Sequence, residues 1–168
     1  MVILGIDPGL NRTGYGIIDS AAARLRFIAA GDIRPSRTGT LPARLAVIHD
    51  GLYQLIAQFQ PHIAVLEQIF THQAFVNTAT LMGHARGAAC LAVQEHGLIL
   101  AEYPPAQVKK SVAGNGAASK DQVARMVGQW LQTSDPAWSA DATDALALAI
   151  VHAHLLSSRT RLPEGLHK

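Results

Sequence analysis

The chain has 168 residues, nearly half of them apolar, and 14 basic against 12 acidic side chains give it a net charge of +2. This length and composition predict a single domain with its own hydrophobic core, and they exclude a membrane span, because no stretch approaches roughly 18 consecutive apolar residues. The single cysteine, Cys90, excludes an intrachain disulfide and a thiolate metal centre, and it is typical of a reducing compartment.

Three strands are predicted in the first quarter of the chain. Residues 2–6 form an apolar run that ends at Asp7-Pro8-Gly9, a pattern typical of a strand closed by a turn. Because Asp7 interrupts this run so early, we expect no signal peptide. Residues 15–19 and 24–33 are predicted as the next two strands, with a turn at 20–23. After a loop at 34–40, Pro42 and the apolar stripe up to Phe59 predict a helix.

Strands and helices alternate through the rest of the chain. Residues 62–67 are predicted as a buried strand, 75–95 as a long helix that stops at Gly97, and 98–103 as a fifth strand. Three more helices are predicted at 105–112, 119–132 and 139–156. This order predicts an α/β domain over 1–156, a five-stranded mixed sheet with helices on both faces, followed by a polar tail at 157–168. The order resembles the ribonuclease H fold.

Four carboxylates are predicted to converge. Asp7 and Glu67 each end a predicted strand, and parallel neighbouring strands would bring both acids to one rim of the sheet. Asp141 and Asp144 lie three residues apart on one face of a predicted helix. Such a cluster predicts a site for two Mg²⁺ ions, with Mn²⁺ able to replace them. Taken singly, each acid also has a structural explanation, as a turn residue, a solvated strand end or a favourable charge at a helix start.

The charge balance is compatible with a nucleic-acid partner. If metal ions neutralise those four acids, 14 basic minus 8 remaining acidic side chains leave +6 for the rest of the protein. An ordinary, slightly basic domain would show the same overall balance.

Four motifs together resemble the RuvC family of Holliday junction resolvases. They are Leu-Gly-Ile-Asp-Pro-Gly at 4–9 with Thr-Gly-Tyr-Gly at 13–16, Ala-Val-Leu-Glu-Gln-Ile-Phe at 64–70, Gly-His-Ala-Arg-Gly at 83–87, and Asp-Ala-Thr-Asp-Ala-Leu-Ala at 141–147. They occur in the family's order from residue 1 to about 156. The resemblance implies an endonuclease that resolves four-way junctions by paired symmetric nicks in homologous recombination and DNA repair. It also implies that Asp7, Glu67, Asp141 and Asp144 are the metal-binding catalytic acids.

The resemblance also implies DNA contacts. Phe70 is expected to stack on an unpaired base at the crossover, although the family's loop lysine is missing from Thr71-His72-Gln73. Lys109 and Lys120, on either side of a glycine loop at 114–116, are expected to contact phosphates, the second at the start of a helix capped by Ser119. For Arg86 a DNA contact and a surface charge both stay open. His152 and His154 are interpreted as structural.

The expected partners are a second copy of the chain and, by resemblance, a RuvA–RuvB branch-migration complex. Paired nicks need two symmetric sites, and Gly83 and Gly87 would let a partner helix approach closely. We expect a cytoplasmic location. The competing hypotheses are an ATP-binding domain of the actin and sugar-kinase type, for which the chain is short, a nuclease of the same fold that processes ribosomal RNA precursors, and an inactive junction-binding module.

Overall fold

A computed structural model describes residues 1–21, 24–68, 76–133 and 137–160, with only the backbone described at 76–79 and 159–160. The strands are β1 (Val2–Asp7), β2 (Thr13–Ala21), β3 (Arg24–Ile33), β4 (Ile63–Glu67) and β5 (Ile99–Tyr103). The helices are α1 (Leu41–Phe59), α2 (Val76–Glu95), α3 (Pro105–Ala113), α4 (Lys120–Trp130) and α5 (Ala140–Thr160). The predicted order of elements is confirmed.

The five strands form one mixed sheet in the order β3-β2-β1-β4-β5. β1 pairs antiparallel with β2 and parallel with β4, and β4 pairs parallel with β5. In the register of the central pair, Ile6 lies opposite Leu66. The next residue of each strand is acidic, so the sheet brings Asp7 and Glu67 to the same edge, as the sequence predicted.

Alternating side chains of the central strands divide the core into two layers. Leu4 and Leu66 belong to the layer shared with α1 and α2. Ile3 and Val65 belong to the opposite layer, which is shared with α3, α4 and α5. Because both faces of the central strands are covered, their residues are almost continuously apolar, and the predicted arrangement with helices on both faces is confirmed.

Helix α5 lies directly against the backbone of β1 and β2. A Cβ atom added to Gly5 would lie 1.9 Å from the carbonyl oxygen of Ala145, and one added to Gly14 would lie 2.1 Å from the carbonyl oxygen of Asp141. Only glycine permits so close an approach. The two glycines therefore determine how near the start of α5 comes to the end of β1.

The ends of the helices mostly follow the sequence signals. Gly97 is left-handed with φ +66° after α2, and Ser119 and Gln122 form the reciprocal capping box predicted before α4. Helix α5 continues to Thr160, beyond the predicted end at 156, so the first residues of the predicted tail are helical. Residues 161–168 lie outside the described part of the chain.

The two histidines near the end of α5 pack inside the domain. His152 is 8% exposed, and its Nδ1 lies 2.7 Å from the hydroxyl of Tyr103. His154 contacts Ser111 through Nδ1, and burial lowers its pKa. These contacts agree with the structural interpretation of both residues. Among the described helices, none is long and apolar enough to cross a bilayer.

Candidate active site

Two strand ends place a carboxylate each on the α5 side of the sheet. Along β1, side chains alternate between the faces, so Asp7 points to the same side as Ile3, in the layer shared with α5. Along β4, Glu67 shares its face with Val65, which lies in that same layer. The alternation of side chains along these two adjacent parallel strands therefore places both carboxylates on the same face of the sheet.

The start of α5 supplies the other two carboxylates. The Ser139 hydroxyl accepts a hydrogen bond from the backbone N–H of Ala142 at 3.0 Å and so caps the helix. Asp141 and Asp144 lie in its first turns. Because the carbonyl of Asp141 lies against Gly14, the beginning of this helix stands at the rim of the sheet, beside Asp7.

A cavity of about 110 Å³ opens between these elements. Its charged lining residues are Asp7, Glu67, Asp144, Lys109 and Lys120, and the remaining lining residues are Pro105, Val108, Val123, Ala147 and Leu148. The cavity is thus lined by three carboxylates, two lysines and apolar side chains. The structure brings both predicted DNA-contacting lysines to the same cavity as three of the four acids.

Burial and mutual repulsion raise the pKa values of the inner acids. The pKa of Asp7 rises to about 7, first because the side chain is buried and then because Asp144, Asp141 and Glu67 repel its negative charge. The pKa of Glu67 is also raised, mainly by burial and then by Asp144, while Lys120 and Lys109 counteract the increase. The ionised carboxylates of this cluster therefore repel one another, and the two lysines offset that repulsion only in part.

Basic side chains hold the two acids of α5. Lys120 Nζ lies 2.9 Å from Asp144 Oδ2, and this hydrogen bond is the main cause of the raised pKa of Lys120. Arg12 Nε lies 3.4 Å from Asp141 Oδ2. In this arrangement, no three acidic, histidine or cysteine side chains of the described residues are placed to hold a metal ion. The oxygen donors nevertheless suit Mg²⁺ or Mn²⁺ chemically.

Arg86, on α2, binds the backbone at the end of β4. Its side chain, 15% exposed, donates a hydrogen bond to the carbonyl oxygen of Glu67 at 2.7 Å and pairs with the carboxylate of Glu102 on β5. These contacts differ from those of a solvated surface charge, and the alternative of a DNA contact by Arg86 stays a prediction. The sequence offered no indication of these contacts, since the three residues lie on separate elements.

Asp32, at the end of β3, is a fifth acidic residue near the rim, which the sequence analysis did not identify. Its carboxylate accepts hydrogen bonds from the Ser139 hydroxyl at 2.5 Å and from Arg34 at 2.7 Å. Burial opposes ionisation, but these two donors hold its pKa below the ordinary value. Asp32 therefore links β3 to the residue that caps α5. No local pattern could reveal a bond between positions 32 and 139.

Phe70, which is predicted to stack on a base of the junction, and the adjacent loop Thr71-His72-Gln73 lie outside the described residues. In the glycine loop before α4, Gly114 ends α3 with φ 75°, and the Asn115 side chain accepts a hydrogen bond from the backbone N–H of Ala117. The phosphate contacts expected of Lys109 and Lys120, on either side of this loop, stay predictions.

Comparisons with known proteins agree with this architecture. Residues 3–152 match the model of the family described as crossover junction endodeoxyribonuclease RuvC. The protein of that name from Rhodopseudomonas palustris (strain TIE-1) is 48% identical over 160 residues, which cover 95% of this chain and 91% of the relative. Its counterpart from Bordetella avium is 46% identical over 162 residues, covering 96% and 88% of the two chains.

Solved structures show the same fold. The structure of Thermus thermophilus RuvC in complex with Holliday junction substrate superimposes with a TM-score of 0.88 and 31% identity, covering 95% of this chain and 97% of that one. The yeast mitochondrial Holliday junction resolvase Ydc2 shares the fold, with a TM-score of 0.69 at 13% identity, over 94% and 80% of the two chains. The family match spans nearly the whole domain, and the chain therefore belongs to the RuvC family of crossover junction endodeoxyribonucleases, with their ribonuclease H-like fold.

Proposed function

We propose that this enzyme resolves Holliday junctions with two Mg²⁺ ions held by Asp7, Glu67, Asp141 and Asp144. The observation that carries the proposal is the convergence of four carboxylates at one rim of the sheet, where Asp144, Asp141 and Glu67 lie near enough to Asp7 to repel its charge. Each of the four acids supplies only oxygen donors, the ligands that Mg²⁺ and Mn²⁺ prefer. The junction itself is the substrate found with the Thermus thermophilus relative.

The acids and lysines of this site would have different roles in phosphodiester hydrolysis. Divalent ions, if held by the four acids, would supply the polarisation of the attacking water and the stabilisation of the leaving oxygen. Asp7 and Glu67 sit on strand ends, which makes them rigid parts of the site, whereas Asp144 and Asp141 come from the first turns of α5. Lys109 and Lys120 line the same cavity, where their charges would attract the DNA phosphates and offset repulsion from the acids.

Paired symmetric nicks require two active sites, and we propose that the chain forms a homodimer through α2. Cβ atoms added to Gly83 and Gly87 would meet nothing within 4 Å, so these glycines are not needed for packing against the chain's own sheet. Leu91, four residues after Gly87 and on the same face of the helix, is 54% exposed. An exposed helix face with two glycines and a large apolar side chain suits close packing against the same face of a second copy.

The dimer is tested by sedimentation of Gly87→Trp beside Ala57→Trp, a matched change on the exposed side of α1. We expect the parent and the Ala57 variant to sediment as dimers at micromolar concentration, and the Gly87 variant as a folded monomer. A monomeric parent that still cuts both strands of a junction would contradict the proposal.

Following the family resemblance, we further propose that the enzyme acts in the cytoplasm in recombination and repair, on junctions delivered by a RuvA–RuvB motor.

Cleavage of a synthetic four-way junction tests the function directly. We expect Mg²⁺-dependent nicks placed symmetrically on two strands when the products of all four strands are mapped. Asp144→Asn should abolish them, whereas Asp121→Asn, the same change on an exposed residue of α4, should cut like the parent. Structured ribosomal RNA precursors should stay intact. Cleavage of the RNA in preference to the junction, or normal cutting by Asp144→Asn, would overturn the proposal.

A further inference from the structure

Arg12 lies between two carboxylates with different surroundings. It belongs to the loop between β1 and β2, and its Nε is 3.4 Å from Asp141 Oδ2 and 3.9 Å from Asp32 Oδ2. The arginine side chain is 38% exposed and Asp141 is 35% exposed, whereas Asp32 is only 6% exposed. One partner is thus an accessible member of the acidic cluster and the other is fixed inside the protein.

Asp32 is held too firmly to be released. The hydroxyl of Ser139 and the guanidinium of Arg34 both donate to it, and the Ser139 hydroxyl also caps α5. Moving Asp32 away from these donors would leave its buried carboxylate unpaired, which is costly. Arg12 therefore has an anchor at Asp32 that keeps its positive charge at the rim even when Asp141 takes another partner.

We propose that Arg12 gives up Asp141 when a divalent cation binds and then contacts a phosphate of the junction DNA, so that metal binding and DNA contact are coupled. The inference rests on the proposed function, since it takes Asp141 as a metal ligand. Two positive groups compete for one carboxylate, and the more highly charged one displaces the other. The freed guanidinium, anchored at the exposed rim, has donors suited to a phosphate.

The first test measures Ca²⁺ binding without DNA by calorimetry, because Ca²⁺ also takes oxygen ligands. Arg12→Gln removes the competing charge and should bind Ca²⁺ roughly three- to ten-fold more tightly than the parent. Arg26→Gln is the matched control, because Arg26 pairs with Asp19 at the same 3.4 Å at the opposite end of the sheet, and its Ca²⁺ affinity should equal the parent's. Unchanged or weaker Ca²⁺ binding by Arg12→Gln would overturn the proposal.

The second test measures junction binding in Ca²⁺ at several salt concentrations. Loss of one phosphate contact should lower the slope of log affinity against log salt by about one for Arg12→Gln, and Arg26→Gln should keep the parent's slope. An unchanged slope for Arg12→Gln would refute the phosphate contact.

Asp141→Asn distinguishes a failure of the proposed metal site from a failure of the role proposed for Arg12. If it leaves Ca²⁺ binding intact, the proposed metal site fails and this proposal with it. If it weakens Ca²⁺ binding while Arg12→Gln behaves like the parent, only the role of Arg12 is wrong.

Discussion

Replacing Asp7 with Asn removes one charge from the acidic cluster while keeping the shape of the side chain. Asp7 ends β1, is largely buried and faces Asp144, Asp141 and Glu67. In the metal-free protein the ionised carboxylate is therefore destabilising. The asparagine variant should lose junction cleavage by orders of magnitude, because a metal ligand is gone, and yet be more stable than the parent in EDTA.

The size of this effect follows from the pKa of Asp7. Folding raises that pKa from 3.8 to about 7, so the folded state favours the protonated carboxyl. Stability due to this group is fully present below pH 3.8 and is lost as the pH rises towards 7. The loss amounts to about 4 kcal/mol at pH 8, and to less than half of that at pH 5. For a chain of this size, about 4 kcal/mol corresponds to a melting temperature roughly 10 °C higher for the variant at pH 8.

Thermal unfolding in EDTA at pH 5 and pH 8 measures the difference. The advantage of Asp7→Asn over the parent should grow between the two pH values, whereas Asp121→Asn, on the exposed surface of α4, should differ little from the parent at either. Addition of Mg²⁺ should then raise the melting temperature of the parent more than that of Asp7→Asn, since only the parent has all four ligands.

A purely structural role for Asp7 predicts the opposite pattern. As a turn residue before Pro8 and Gly9, its replacement would lower stability at both pH values, leave the response to Mg²⁺ unchanged and spare most of the activity. Cleavage by Asp7→Asn within a few-fold of the parent would refute the assignment of this carboxylate to the metal site, and with it the central step of the proposed function.

Three further variants test the frame around the site. Gly5→Ala should lower stability by about 1–3 kcal/mol in denaturant unfolding, because its Cβ would collide with a carbonyl of α5, whereas Gly128→Ala in α4, which meets only an ordinary contact at 3.5 Å, should not destabilise. Arg86→Gln should lower the free energy of unfolding by about 1–3 kcal/mol, because it leaves the carbonyl at the end of β4 unpaired. It should also reduce the rate of single-turnover cleavage more than the affinity for the junction. Equal losses in rate and affinity would contradict a role of Arg86 in positioning β4. Phe70→Ala should slow cleavage and weaken junction binding by at most about 1–3 kcal/mol without changing the melting temperature, and a lower melting temperature with normal cleavage would show that Phe70 only packs.

The parts of the site that could be predicted from the sequence are those set by local patterns. An apolar run that ends in an acid predicts both a strand and the edge at which its last side chain lies. Two such runs, before Asp7 and before Glu67, therefore predicted two neighbouring carboxylates once the strands were taken as parallel neighbours. The spacing of Asp141 and Asp144 in a predicted helix likewise predicted that both acids lie on one face.

The supporting contacts could not be predicted because they join distant positions without a periodic signal. Arg86 on α2 reaches the backbone of β4, and Asp32 on β3 reaches Ser139 before α5. Each contact depends on the relative placement of two elements, which the sheet order decides. A single arginine or aspartate in a polar segment indicates no particular partner, since exposed and buried charges have the same local pattern in a single sequence.

The glycines after β1 connect the fold to the chemistry. The segment at 13–16 has glycine at each position where β2 faces α5, and a Cβ on Gly16 would lie 2.6 Å from the side chain of Leu146. Larger residues at Gly14 or Gly16 would push the start of α5 away from the sheet. Asp141 and Asp144 would move with the helix, while Asp7 and Glu67 would stay on their strands. The distance between the two pairs of carboxylates therefore depends on the absence of side chains at Gly14 and Gly16. These glycines thus influence the geometry of the site without contacting the substrate.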